Sequence, residues 1–273
     1  MSAILKVLQI QHKRAKMCAL PTSSKKLQSS KKLAKLPKST MQPKKLQSKQ
    51  SKKLQTKKTK SKIKPSDIAT IKSRFLAHYP NAKTELVYAN TYQLLVCVML
   101  SAQCTDKRVN IVTPALFASY PTPASLSQAN IDELKEIIKS VSFFNNKATN
   151  LIKMATQVMD RFGGEIPSTQ EELKSLAGVG QKTANVVLIE SQEANVMAVD
   201  THCFRVAHRL GLSQAKSPLD TEADLTNAFK DNLATLHQAF VLFGRYICKA
   251  LKPLCNQCFL QEFCLSKSNF KPT

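Results

Sequence analysis

Aspartate and glutamate are missing from the first 66 residues of this 273-residue chain, a stretch that carries twenty lysines or arginines; the first acid is Asp67. Aromatic residues are all but missing there too. Such a segment cannot bury enough apolar surface to offset chain ordering, about 1 to 2 kcal/mol per residue, and its like charges repel. Residues 1–66 are therefore expected to be a disordered Lys-rich tail. It repeats Lys-Lys-Leu-Gln from Lys25, Lys44 and Lys52, with a Lys-Lys-Leu-Ala variant from Lys31. That density of charge suits a polyanion-binding arm, with a solubilising extension and membrane-surface binding as the other readings. After residue 66 the chain has 21 basic and 18 acidic side chains, so most of its net charge of +23 belongs to the tail.

Long apolar runs are also lacking. No segment approaches the roughly 18 to 20 residues of a membrane span, which excludes a helical membrane protein and predicts a soluble chain. Residues 1–20 are acid-free and mildly amphipathic, which fits a mitochondrial transit peptide, but they make a poor secretory signal. Without an export signal, the eight cysteines point to metal ligation or burial, not to a disulfide framework.

Strand alternation is scarce, and beyond residue 67 apolar residues recur every three or four positions, the period of a helix face. Ile68, Ile71, Phe75, Leu76 and Tyr79 form one such face. Leu94, Leu95, Val98 and Met99 lie in a segment apolar nearly all round, which predicts a central helix. Further helices are expected over 106–119 and near 181–192, 201–211, 221–235 and 237–250. Asn130 with Glu133, and Ser168 with Glu171, have capping-box spacing. Gly163 and Gly164 are placed to end a long helix that carries Leu151, Ala155, Val158 and Phe162.

Glycine is scarce at six residues, yet two of them flank Val179 in the run Gly178-Val179-Gly180-Gln181-Lys182-Thr183. Glycines there permit positive φ and let a phosphate approach bare N–H groups at a helix start, where the dipole favours an anion. This is the logic of a helix-hairpin-helix contact with DNA. A nucleotide-binding P-loop is the rival, but it needs a glycine directly before Lys-Thr, where Gln181 stands, and a strand before the loop. A plain interhelical turn is the remaining reading.

Cys248, Cys255, Cys258 and Cys264 follow the spacing C-x6-C-x2-C-x5-C. Four thiolates this close can wrap one metal centre, and spacing alone accepts tetrahedral zinc or a four-iron cluster. Lys249 and Lys252, between the first two, suit phosphate contact if that loop is shaped by the centre; solvation is their default. Cys18, Cys97, Cys104 and Cys203 lack such spacing and read as free or buried thiols, and His202 and His208 as packing or hydrogen-bonding residues rather than ligands.

LAGVGQKTANVV from Leu176 to Val187, VDTHCFRVAHRLGL from Val199 to Leu212, MLSAQCTD from Met99 to Asp106, and the four cysteines stand in an order that closely resembles the endonuclease III family of DNA glycosylases. The resemblance covers about residues 67–266. It implies an all-α, two-lobed helix-hairpin-helix glycosylase fold: a six-helix barrel lobe from about 84 to 194 and a cluster lobe from 67–83 and 195–270. It implies a 4Fe-4S cluster on the four cysteines and excision of oxidised pyrimidines from double-stranded DNA, followed by strand cleavage at the abasic site. It also implies Lys182 as nucleophile, Asp200 as its catalytic partner, and Gln103 as a side chain that fills the gap left by an extruded nucleotide. DNA contacts would come from Gly178, Val179, Gly180 and Thr183. A lysine nucleophile must first lose its proton, which burial, nearby positive charge or a helix N-terminus promotes. Asp200 also suits a helix N-cap, a role that does not exclude catalysis.

The chain departs from the family pattern at Ser142 and Phe143, where glycine and leucine are common, at Ala177 for proline and at Gln181 for arginine. Phe143 reads as an aromatic wedge or as a core residue. Gln181 is expected to weaken phosphate contact or to alter the surroundings of Lys182. The rivals are an adenine glycosylase, which ordinarily lacks this lysine, and a non-catalytic iron–sulfur protein that binds DNA. The expected state is a monomer, cytoplasmic and nucleoid-associated in a bacterium, with nuclear or mitochondrial placement as the alternative.

Overall fold

The computed structural model describes residues 63–270; residues 1–62, with the repeats and Cys18, lie outside the described residues, and the tail expected over 1–66 gives way to helix at Pro65. The described residues form α-helices and short 3-10 turns with no strand, as the apolar spacing predicts. The helices are α1 (Pro65–His78), α2 (Thr91–Ser101), α3 (Asp106–Ser119), α4 (Pro123–Ser127), α5 (Ile131–Ile138), α6 (Phe144–Phe162), α7 (Gln170–Lys174), α8 (Gln181–Gln192), α9 (Thr201–Arg209), α10 (Pro218–Phe229) and α11 (Leu233–Tyr246). None is long and apolar enough to cross a membrane.

Side-chain oxygens set many of the starts by accepting an orphan backbone N–H, from Asn90 before α2, Thr105 before α3 and Ser217 before α10. A reciprocal capping box forms at Thr122 and Ser125. Asn130 caps α5 as expected, but the cap of α7 is Thr169, which accepts from the Glu172 N–H, one residue beyond the predicted Ser168 and Glu171. Two helices also differ from the expected spans. Ser217 with Pro218 starts α10 earlier than 221, and Asn232, in the left-handed region at φ 57°, turns the chain into α11 with no side-chain cap.

Two apolar cores result. In one, α2 is buried from Leu94 to Leu100 and is surrounded by α3 to α8. In the other, α1 packs with α9 to α11: Phe75 stacks on Phe240 at 4.3 Å between ring centroids and meets Phe243 and Phe259 edge-on. The N-terminal helix thus shares a core with the C-terminal cysteine segment. Asn185 of α8, fully buried, joins the cores by donating to the Met197 carbonyl (2.8 Å) and Glu222 (3.0 Å) while accepting from Gln170.

Candidate functional site

Lys182 and Asp200 line one cleft of about 450 Å³ at the meeting of the two cores. The lysine stands in the first turn of α8 and is exposed to the cleft. Asp200 precedes α9, and its Oδ1 accepts the Cys203 N–H at 2.7 Å, so it is a helix cap and a cleft residue at once. Burial works against ionisation of Asp200, but the Cys203 N–H and the positive charge of Lys182 overcome it and hold the carboxyl below the ordinary aspartate range. Behind it His237 is buried, and burial pushes its pKa down to about 4 despite the attraction of Asp200, so the imidazole is neutral at neutral pH. Across the cleft Arg245 pairs with Asp106 at 2.7 Å and with Glu85.

The glycines of the hairpin have different duties. Gly178 adopts φ +77°, and a Cβ there would lie 2.9 Å from the Asn150 Cβ and 3.1 Å from the Met99 Cε, so it allows a close approach to α6 and α2. Gly180 is extended at φ −95°, not left-handed as expected of both glycines, and a Cβ there meets nothing within 4 Å. Val179 departs from its expected role: its side chain is buried and its N–H donates to the Leu176 carbonyl at 3.1 Å. The start of α8 that follows has no side-chain cap, and Thr183 there is part-buried. Gln181 donates to Glu222 at 3.2 Å, a bond to the other core.

Gln103 and Phe143 are both exposed, and both sit in the left-handed region, at φ 55° and 58°. Phe143 is 62% exposed, which removes the reading of it as a core residue. Bulky non-glycine residues are uncommon in this conformation, and such strain gathers where a side chain must be displayed.

Cys248, Cys255, Cys258 and Cys264 line one cavity of about 350 Å³, and none of the seven described cysteines is in a disulfide. Arg209 braces this cavity by donating to the Cys248 Sγ at 3.2 Å and to the carbonyls of Lys249 and Ala250 at 2.8 and 2.9 Å, while its guanidinium lies over the Phe270 ring. Arg205 donates to the carbonyls of Cys248 and Gly244. An all-sulfur donor set around one cavity, with cations behind it, fits an iron–sulfur centre. Lys249 and Lys252 are exposed on the loop that Arg209 holds. His208 uses both ring nitrogens on the carbonyls of Phe204 and Ala215, and His202 faces Arg205, as packing residues would. Arg205, Arg209 and His237 were not singled out from the sequence; Arg209 lies within a recognised motif, but its partners are some forty positions away.

Residues 96–231 match the family model of the HhH-GPD superfamily base excision DNA repair proteins, and residues 248–264 match that of the iron–sulfur binding domain of endonuclease III. Endonuclease III of Rickettsia felis is 44% identical over 191 residues, 70% of this chain and 90% of that protein. The Bacillus subtilis enzyme is 42% identical over 188 residues, 68% of this chain and 86% of that one. A solved structure of a trapped endonuclease III–DNA covalent intermediate aligns with a TM-score of 0.73 and 38% identity, covering 76% of this chain and 98% of its own. With these likenesses spanning both the cleft and the cysteine segment, the chain belongs to the endonuclease III family of DNA glycosylases with AP lyase activity.

Proposed function

We propose that this protein extrudes oxidised pyrimidines from double-stranded DNA, excises them and cuts the strand at the abasic site through a Schiff base on Lys182. The observation that carries the reading is the sharing of one cleft by an amine at a helix start and a carboxylate held ionised beside it. Once Lys182 has given its ammonium proton to water or to Asp200, its Nζ forms a bond to C1′ as the bond to the base breaks, and the base takes up the proton that the new nitrogen–carbon centre releases. Opening of the sugar ring gives an imine, removal of a C2′ proton expels the 3′ phosphate, and water then releases the lysine. Asp200 stabilises the positive charge that grows on the sugar as the base departs.

Gln103 and Phe143 fill the gap in the duplex, which limits the few kcal/mol, roughly, that unstacking costs. Phosphate binds the uncapped start of α8 from the open side of Gly180, and the exposed Lys249 and Lys252 add charge along the same strand. The four cysteines would hold a 4Fe-4S cluster, whose part would be to fix the fold of that loop rather than to act on the substrate. The partner is duplex DNA with damaged pyrimidines or abasic sites, taken by a monomer, and the basic arm adds salt-dependent affinity.

The test is borohydride trapping on duplex DNA that contains thymine glycol, with the full chain carrying its brown cluster. A covalent adduct is expected, and a preparation that binds the DNA but yields no adduct would overturn the reading. The glycines offer a second check. Gly180→Ala is expected to leave the melting temperature nearly unchanged and weaken duplex binding several-fold. Gly178→Ala is expected to cost about 1 to 3 kcal/mol of stability through its backbone conformation and its crowding against Asn150. Melting curves with binding isotherms check both, and unaltered binding by Gly180→Ala would remove the phosphate from that side of the turn.

A further inference from the structure

Lys147 lies on the first turns of α6, four residues after Phe143, and is part-buried. Its Nζ reaches across to α2 and donates to the carbonyls of Leu100 and Ala102, each at 2.6 Å. Those oxygens belong to the frayed end of a helix, where carbonyls have no intrahelical partner. A cation is the favoured donor there, because the helix dipole places partial negative charge on that end. Ala102 immediately precedes Gln103, and the Phe143 carbonyl accepts the Lys147 backbone N–H at 3.1 Å. One residue therefore ties together the two turns that display Gln103 and Phe143, its side chain holding the first and its backbone N–H the second, and each of the two displayed residues is in a left-handed conformation which its own sequence does not favour. Burial also draws the amine below the ordinary lysine range, against the opposing influence of Cys104.

We propose that Lys147 is a positioning residue, which fixes the spacing of Gln103 and Phe143 so that both enter the duplex together when a nucleotide leaves it. The amine touches neither the sugar nor the base in this role. It acts on the opening of the duplex, not on the bond-breaking step. The inference rests on the proposed excision of bases from duplex DNA, and it makes a demand that the chemistry of Lys182 does not: loss of Lys147 matters only where there is a stack to fill.

The experiment compares the native chain with Lys147→Met and Lys147→Arg, all carrying the cluster. Excision is measured on duplex DNA with thymine glycol, and borohydride trapping on a single strand with an abasic site, which has no gap to fill. Two charge-assisted hydrogen bonds are lost in Lys147→Met, so single-turnover excision from the duplex is expected to fall by about tenfold to a hundredfold. Trapping on the single strand stays within about twofold of native, and Lys147→Arg recovers most of the duplex rate. A further arm places Lys147→Met in a chain that already carries Gln103→Ala and Phe143→Ala. A positioning residue has nothing left to position there, so the added loss on duplex DNA is expected to be less than about twofold. Equal losses on both DNAs, an undiminished duplex rate in Lys147→Met, or a full added loss in the triple variant would each overturn the proposal. A native chain that traps on neither DNA would instead overturn the excision reading, and this inference with it.

Discussion

Lys182→Gln is expected to give no borohydride adduct and to lower base excision by at least about 10³-fold, since removal of a nucleophile leaves only the binding and electrostatic part of catalysis. Glutamine keeps the length and polarity of the side chain but has no lone pair basic enough to attack a sugar carbon. The fold should be unaffected, because residue 182 is exposed to the cleft and is not part of either core. Affinity distinguishes this result from loss of a phosphate contact. A lysine that only bound phosphate would lower affinity for every duplex alike and change the slope of binding against salt by about one. Trapping that persists in Lys182→Gln would place the reactive amine elsewhere.

Asp200 caps α9 and, in the proposed reaction, also stabilises charge on the sugar, and two substitutions separate these roles. Asp200→Asn keeps an oxygen that can accept the Cys203 N–H, but it removes the negative charge from the cleft. It is expected to lower excision by about 10²- to 10³-fold, as loss of a preorganised electrostatic group does, with little change in melting temperature. Asp200→Ala loses the charge and the cap together, so a similar fall in excision should come with about 1 kcal/mol of lost stability. Single-turnover excision and thermal melting of the two variants read these effects. Near-native excision by Asp200→Asn would reduce Asp200 to a cap.

Local signals made much of this molecule legible from its sequence. The span of α3 matches the expected 106–119, and the start of α8 follows the glycine turn before Gln181. The cleft pair was readable through the family resemblance of the runs that hold it, and the cysteine cavity through the spacing of its four thiols. What the sequence hides is pairing across distance. The bonds from Lys147 to Leu100, from Arg209 to Lys249 and from Gln181 to Glu222 each cross about forty positions or more. No local pattern announces them. Val179 misleads for a related reason: it lies inside a motif that offers backbone donors, but the turn consumes its own N–H. The start of α11 was misplaced because Asn232 bends the chain by its backbone conformation and makes no cap that a sequence pattern could reveal.

Lys182 stands on a helix of one core and Asp200 precedes a helix of the other, and Asn185, one turn beyond Lys182, ties its helix to Met197 and Glu222 on the opposite side. A groove assembled this way behaves like the jaws of a vice, whose gap is set by the screw and not by the stiffness of either jaw. Hardening one half alone would leave that gap to the bonds that bridge the halves, those of Asn185 together with Gln181 to Glu222 and Arg245 to Asp106.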